Sequence, residues 1–320
     1  MQWYEEVIQT LLIGVTNGAI ISLVALGYTL VYGIIELINF AHGDVFMIGT
    51  MVSLTILTWL PPLLGARQAF QLPPLQIAGL LVLCLFASTA VCALLNVVIE
   101  RVAYRRLRNA PRLAPLISAI GVSFILVNVG LVWKGASQVN FPNLLPPVDV
   151  LHDVFGVDTL VQFRLKDLFV LLLAVPLMIA LQMFVQRTRL GKAMRATAQD
   201  RDAAQLMGIN INTTIALTFL IGSALAGAVG FVSGIYYGTT WFFNGFRAGL
   251  YAFTAAVLGG IGNVAGAMLG GFTIGLIEAM ATQYVPHGAG WTNVVVFSVL
   301  VLVLIFRPSG LLGESLPEKV

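Results

Sequence analysis

Ionisable and polar side chains inside apolar sequence are the first residues that could do chemistry. The segment GIIELINFAHGDVFMIG, Gly33–Gly49, places Glu36, Asn39, His42 and Asp44 within an otherwise hydrophobic run. A charge held in lipid is costly, so such residues face a cavity, pair with one another, or mark a solute path. Gly33, Gly43 and Gly49 free the backbone to turn or pack closely there. Non-helical backbone at membrane depth requires a protein-buried or water-lined setting. The alternative is a short interfacial turn in which Asn39 or Asp44 caps the next helix. A second constellation, Gly259–Gly275, holds seven glycines at 259, 260, 262, 266, 270, 271 and 275, with Asn263 among them. Interrupted, glycine-rich segments in both halves of a chain are a feature of transporters. Spacing such as Gly262/Gly266/Gly270 equally suits tight helix packing without solute contact. Glu278 follows as another acid at membrane depth, or an interfacial one if its helix ends early.

A third stretch, RTRLGKAMRATAQDRDAAQLMGIN at Arg187–Asn210, is basic and helical in character. Asp200 is placed to cap a short helix over Arg201–Met207, and Asp202 suits its positive end. Gly208 fits the left-handed residue beyond that helix, followed by apolar Ile209. Ala203, Ala204, Leu206 and Met207 spread too widely for one narrow stripe. Part of that surface should lie on the chain itself and part on a partner, unless the helix simply rests on anionic lipid.

Several chemistries are excluded. No G-x-x-x-x-G-K-[ST] phosphate loop occurs, so the chain binds no nucleotide in that way. His42, His152 and His287 are dispersed, without a metal-binding spacing. No nucleophile elbow is present. No cofactor is implied. Cys84 and Cys92 lie eight residues apart in one apolar run, about 12 Å along a helix, too far for a disulfide.

The elements that hold these residues must be membrane helices. The 320 residues are 58% apolar and only 10% charged, against about 25% charged in a soluble domain. A soluble fold would leave a very large apolar patch exposed. Net charge is +3, from 17 Lys+Arg and 14 Asp+Glu, and no basic face suited to nucleic acid is visible. The acidic start MQWYEEVIQT does not read as a cleavable signal peptide. Spanning helices need about 20 apolar residues. The candidates are Val7–Ile35, Val45–Leu60, Gln76–Ile99, Leu113–Trp133, Leu168–Val185, Thr213–Ile235, Leu250–Gln283 and Trp291–Phe306. The first and seventh are long enough to be tilted or broken, giving eight to ten crossings of a single membrane domain over residues 1–320. Trp3, Trp59, Trp133, Trp241 and Trp291 stand at or beside span ends, as interfacial anchors do.

Charge sets the orientation. Arg101, Arg105, Arg106, Arg108 and Arg112 fall in one connection, and Arg187, Arg189, Lys192, Arg195 and Arg201 in another. Both should be cytoplasmic by the positive-inside rule. The connection between them carries Asp149, Asp153, Asp158 and Asp167 and reads as an outer loop. Arg307 and Lys319 put the C-terminus inside, which favours splitting Leu250–Gln283 in two. The resulting expectation is an all-α polytopic bundle with broken glycine-rich segments and one short cytoplasmic helix.

Four segments resemble a known family: Leu26–Gly49, Thr188–Asn210, VLGGIGNVAGAMLGG (Val257–Gly271) and RPSGLLG (Arg307–Gly313). They are similar to the LivH-type permeases of branched-chain amino-acid ATP-binding-cassette importers. INFAHG and GGIGN together are specific to the family, though less so to the solute, because relatives carry urea, short amides or other amino acids. The resemblance implies a permease in a bacterial inner membrane, with no catalysis of its own. It also implies a LivM-like second permease, two ATPase subunits (LivG/LivF-like) and an extracytoplasmic solute-binding protein. On this reading Glu36, Asn39, Phe40, His42, Gly43 and Asp44 border the translocation pathway, with Asn39, Phe40, His42 and Gly43 near the permease–permease interface at a break in helical structure. Gly259, Gly260, Gly262, Asn263 and Gly266 form a second broken segment. Residues 187–210 dock an ATPase through Arg195, Asp200, Ala203, Ala204, Leu206, Met207 and Gly208. A stand-alone secondary transporter, using Glu36, Asp44 or Glu278 as ion sites, is the alternative from another class. A membrane-embedded enzyme is the third, disfavoured by the missing motifs.

Overall fold

The computed structural model describes residues 3–35, 39–66, 69–108, 110–111, 113–157 and 159–313. Glu36, Arg112, Asp158 and Lys319 lie outside the described residues. The described chain is almost wholly helical. In order, α1 is Trp3–Ile35, α2 Ala41–Leu63, α3 Pro74–Ile99, α4 Leu113–Lys134 and α5 Leu165–Arg187. The short helices α6 (Arg189–Gln199) and α7 (Arg201–Leu206) follow, then α8 (Ile211–Tyr237), α9 (Asn244–Gly259), α10 (Val264–Tyr284) and α11 (Gly288–Phe306). Two-residue strands, β1 (Val139–Asn140) and β2 (Thr239–Thr240), pair antiparallel with Val139 opposite Thr240.

Eight of these helices are long and apolar enough to cross a bilayer, so the chain is a multi-pass membrane protein. The first is a single unbroken helix of 33 residues, about 50 Å long. The seventh apolar stretch is broken at Gly260–Asn263 into α9 and α10. Gly260 and Gly262 both adopt positive φ, 103° and 92°, which an L side chain resists. The short α9 covers about 24 Å between the same two ends of the bundle as its longer neighbours.

Those ends differ in character. At one, Arg108 Nη1 donates to Asn212 Oδ1 at 2.7 Å and Arg201 Nη2 to the Ile34 carbonyl at 3.2 Å, which unites the two basic connections. The C-terminal tail joins them, since Leu311 N and Leu312 N donate to the carbonyls of Leu258 and Gly259. At the other end, Gln9 and Gln162 exchange hydrogen bonds, Gln283 Nε2 donates to Glu6 Oε1, and β1 meets β2. Following the chain from end to end places all five tryptophans at this second end, away from the basic loops.

The core sits around α1, α2 and α8, whereas α3, α4, α5 and α11 present mostly apolar faces outward. With lipid outside, apolar burial gives helices no preference for one another, so small residues and close packing must hold the bundle. On α10, one row of glycines faces α1 and another faces α9. A Cβ on Gly275 would lie 2.3 Å from the Gly18 backbone, and one on Gly270 would lie 2.0 Å from the Ala255 carbonyl. The helical row is thus Gly266 and Gly270, while Gly262 lies in the preceding turn rather than on the helix. Cys84 and Cys92 are free and buried.

Candidate functional site

Asn39 and Phe40 are not helical, and α2 starts from them at Ala41, deep in the protein. His42 packs edge-on to Tyr28, ring centroids 4.9 Å apart, and lies against Gly27. Tyr28 stands seven residues before the end of α1, about 10 Å inside the basic end, so α2 begins at that depth. Asn39 is 4% exposed, and His42 and Asp44 are fully buried. These residues therefore lie within this chain's own core. Phe40, beside them, keeps part of its surface exposed. Neither Asn39 nor Asp44 caps α2, whose N-cap is Phe40 without a side-chain bond. Instead Asn39 Oδ1 accepts from Tyr104 Oη at 2.8 Å, and Asp44 Oδ2 from Ser123 Oγ at 2.5 Å. Asn39 Nδ2, Asp44 Oδ1 and Thr29 Oγ1 have no hydrogen-bond partner among the described residues. Such orphans are uncommon in a core, and two of them, on Asn39 and Asp44, lie at the buried, uncapped start of α2.

Gly43 is glycine for a reason other than backbone freedom. It lies in the first turn of α2 and is not among the residues of positive φ. A Cβ there would meet the Gly245 carbonyl at 2.4 Å and Gly249 Cα at 2.7 Å. Close approach of α9 is what requires it. Phe253 of α9 then packs with Tyr28 and Phe40, at 6.4 and 6.3 Å between centroids.

This aromatic and polar plug separates two cavities. At the basic end, about 350 Å³ is lined by Ile34, Glu100, Tyr104, Arg108, Arg201 and Phe219. Arg108 is tied to Glu100 there; burial pushes the guanidinium below its usual range, which the Glu100 carboxylate opposes. At the other end, two adjoining clefts of about 290 and 510 Å³ share Arg247 and Glu278. The first reaches down to Val24 and Phe46, next to the plug. Arg247, Tyr104, Ser123 and Tyr28 were not singled out by sequence. Arg247 stands in a connection-like stretch ahead of the glycine run, where nothing in the spacing distinguishes it from an interfacial cation.

In the second broken segment, Gly260 and Gly262 make the turn. Gly259 and Gly266 pack against each other, and Asn263 caps α10 by accepting from Gly266 N at 3.0 Å. Its Nδ2 also holds the tail, donating to the Leu312 carbonyl at 2.8 Å. None of these five residues lines the cavities described above.

The stretch 187–210 folds as two short helices. Thr188 caps α6, and Arg195 donates to the Val185 carbonyl, drawing α6 across the end of α5. Asp200 Oδ1 accepts from Asp202 N and Ala203 N at 2.9 and 3.0 Å. Gly208 has φ 84°, with Gly208 N donating to the Gln205 carbonyl and Ile209 N to that of Ala204. That is the paired bonding of a glycine-terminated helix. Ala204 is 4% exposed, whereas Leu206 and Met207 are 89% and 83% exposed. Ala204 thus belongs to the chain's own packing, and the uncovered residues are Ala203, Leu206 and Met207.

An all-α, multi-pass bundle with a cavity at each end and an occluded polar break between them defines a membrane protein of the transporter type. A family model described as the branched-chain amino acid transport system / permease component matches residues 10–304. The chain is 43% identical over 315 residues to the high-affinity branched-chain amino acid transport system permease protein BraD of Pseudomonas aeruginosa, covering 98% of each. It is 42% identical to the permease protein LivH of Escherichia coli K12, covering 98% of this chain and 97% of that one. A probable LivH of Methanocaldococcus jannaschii is 28% identical over 93% of this chain and 92% of its own. The chain belongs to the branched-chain amino acid transport permease family. No solved structure matches it significantly.

Proposed function

We propose that this chain is the membrane-spanning permease subunit of an ATP-driven importer of leucine, isoleucine and valine. It works beside a LivM-like permease, two ATPase subunits and an extracytoplasmic binding protein, and hydrolyses nothing itself. The observation that carries this reading is the buried start of α2 at Asn39–Asp44, lying between a cavity at each end of the bundle. Such an arrangement suits alternating access: partner motion opens one cavity to the break while the other stays shut. The family membership supports the solute class.

In this reading the basic end is cytoplasmic. The N-terminus is then outside and the C-terminus inside, with nine crossings in which α9 counts as one. The plasma membrane of a bacterium is the setting. Leu206 and Met207 on α7, with Ala203 beside them, are the apolar surface offered to an ATPase cleft, and Arg195 and Asp200 fix the attitude of the helices that carry it. A self-sufficient carrier would need free ion-binding acids. Asp44 keeps one carboxylate oxygen on Ser123 and Glu278 faces Arg247 across 3.8 Å, so the ATP-driven reading rests on the family membership.

Copurification tests the assembly. A tag on this chain, expressed together with the candidate ATPases, second permease and binding protein, is expected to bring down both ATPases. Recovery of the chain alone, in a membrane extract where all partners are present, would remove the basis for the proposal.

A further inference from the structure

Arg247 and Glu278 form an ion pair that is not closed. Their nearest atoms are 3.8 Å apart, against about 2.7–2.9 Å for a charge-assisted hydrogen bond. The Arg247 side chain is 64% exposed and that of Glu278 17%. Glu278 sits six residues before the end of α10, about 9 Å into the bundle, at a depth where a carboxylate facing lipid would be costly. Packing of α9 on α10 does not need the pair, since Gly266 and Gly270 already bring the two helices into backbone contact. Both charges instead line the adjoining clefts at the end away from the basic loops. Below Arg247 lies Tyr251, 6.0 Å from guanidinium carbon to ring centroid, with its hydroxyl donating to Asn293 Oδ1 at 2.5 Å. The smaller cleft has an apolar side made by Ile20, Ile21, Val24 and Phe46, while Gln138, Thr239 and Asn244 add polar groups elsewhere on its wall.

We infer that this cleft is an acceptor site for a zwitterionic aliphatic α-amino acid, with Arg247 taking its carboxylate and Glu278 its ammonium. The inference rests on the importer reading and adds to it a solute-binding site within the permease itself. One long ion pair would be exchanged for two short ones, because the forked guanidinium can bind a carboxylate through two parallel N–H donors. The aliphatic side chain would then point toward Ile20, Ile21 and Phe46. The volume, about 290 Å³, is at the lower end of the ~300–1,000 Å³ usual for small-molecule sites, which suits an amino acid and not a peptide. A site that needs both charges rejects analogues lacking either, since the unmatched charge would be left in the cleft.

The test uses the permease–ATPase complex in nanodiscs, without the binding protein, carrying Asn244→Cys at the cleft wall. Labelling by a charged maleimide is timed; Cys84 and Cys92 are fully buried and contribute little. Leucine should slow labelling by the factor 1 + [leucine]/Kd, about elevenfold at ten times Kd. Leucinamide, which lacks the carboxylate, and the keto acid of leucine, which lacks the ammonium, should not protect. Arg247→Gln or Glu278→Gln should each weaken protection by about tenfold or more. Equal protection by leucine in wild type and both variants, or none in the wild type, would overturn the site. Leucine uptake by the unmodified complex with its binding protein is measured alongside: if uptake persists, the acceptor site fails and the importer reading stands.

Discussion

Gly43→Ala is the most direct probe of the packing around the helix break. The new Cβ would sit 2.4 Å from the Gly245 carbonyl oxygen, 2.7 Å from Gly249 Cα and 3.0 Å from Gly249 N. An ordinary carbon–oxygen contact is about 3.3 Å, so α2 and α9 must part by roughly 0.9 Å. All three neighbours are backbone, and no flexible side chain can yield instead. Overpacking of this kind costs about 1–3 kcal/mol, from which the ~0.5–1 kcal/mol gained by replacing a helical glycine with alanine is subtracted. The expected net loss is centred on about 1 kcal/mol and reaches about 2.5 kcal/mol at most. Gly121→Ala in α4 is the matched control, because a Cβ there has nothing within 4 Å, and it should be neutral or slightly stabilising. Thermal unfolding of the purified protein in one detergent reads both. Uptake by the reconstituted complex should fall for Gly43→Ala and hold for Gly121→Ala. Equal stability of the two variants would refute the close α2–α9 approach, and with it the account of why residue 43 is glycine.

Leu206→Glu or Met207→Glu should abolish ATPase copurification while leaving the permease as stable as before, since both side chains are exposed. Ala204→Glu should instead lower stability, measured by the same unfolding assay, because Ala204 is buried on its own chain. Asn263→Ala removes the cap of α10 and the bond to the Leu312 carbonyl; a loss of about 1 kcal/mol and faster proteolysis of the C-terminal tail are expected. For topology, a cysteine replacing Asp153 should react with an impermeant maleimide in intact cells and one replacing Arg106 should not; the reverse pattern would invert the orientation.

What was legible in the sequence follows the physics of each signal. Local devices read well: Asp200 caps and Gly208 terminates α7, because a cap is decided by a few adjacent residues. The break inside Leu250–Gln283 was visible as clustered glycine, and the two basic connections do meet at one end. Contacts between distant segments did not read. Asn39 and Asp44 looked equally suited to capping, and only the fold brings Tyr104 and Ser123 to them. For Gly43 the sequence leaves turning and close packing both open, and only α9, some two hundred residues away, decides for packing. The unbroken α1 also exceeded what hydropathy could settle, since length alone does not distinguish a tilted helix from a broken one. Arg247 gains its significance only from Glu278 across the cleft, which no local spacing announces.

The central claim is that this chain moves branched-chain amino acids only as part of an ATP-driven assembly. Uptake of radiolabelled leucine into proteoliposomes decides it. With the second permease, both ATPases, the binding protein and ATP, accumulation against a gradient is expected, and it should vanish when ATP is withheld. Leucine accumulation by vesicles containing this chain alone, driven by a proton or sodium gradient, would contradict the account.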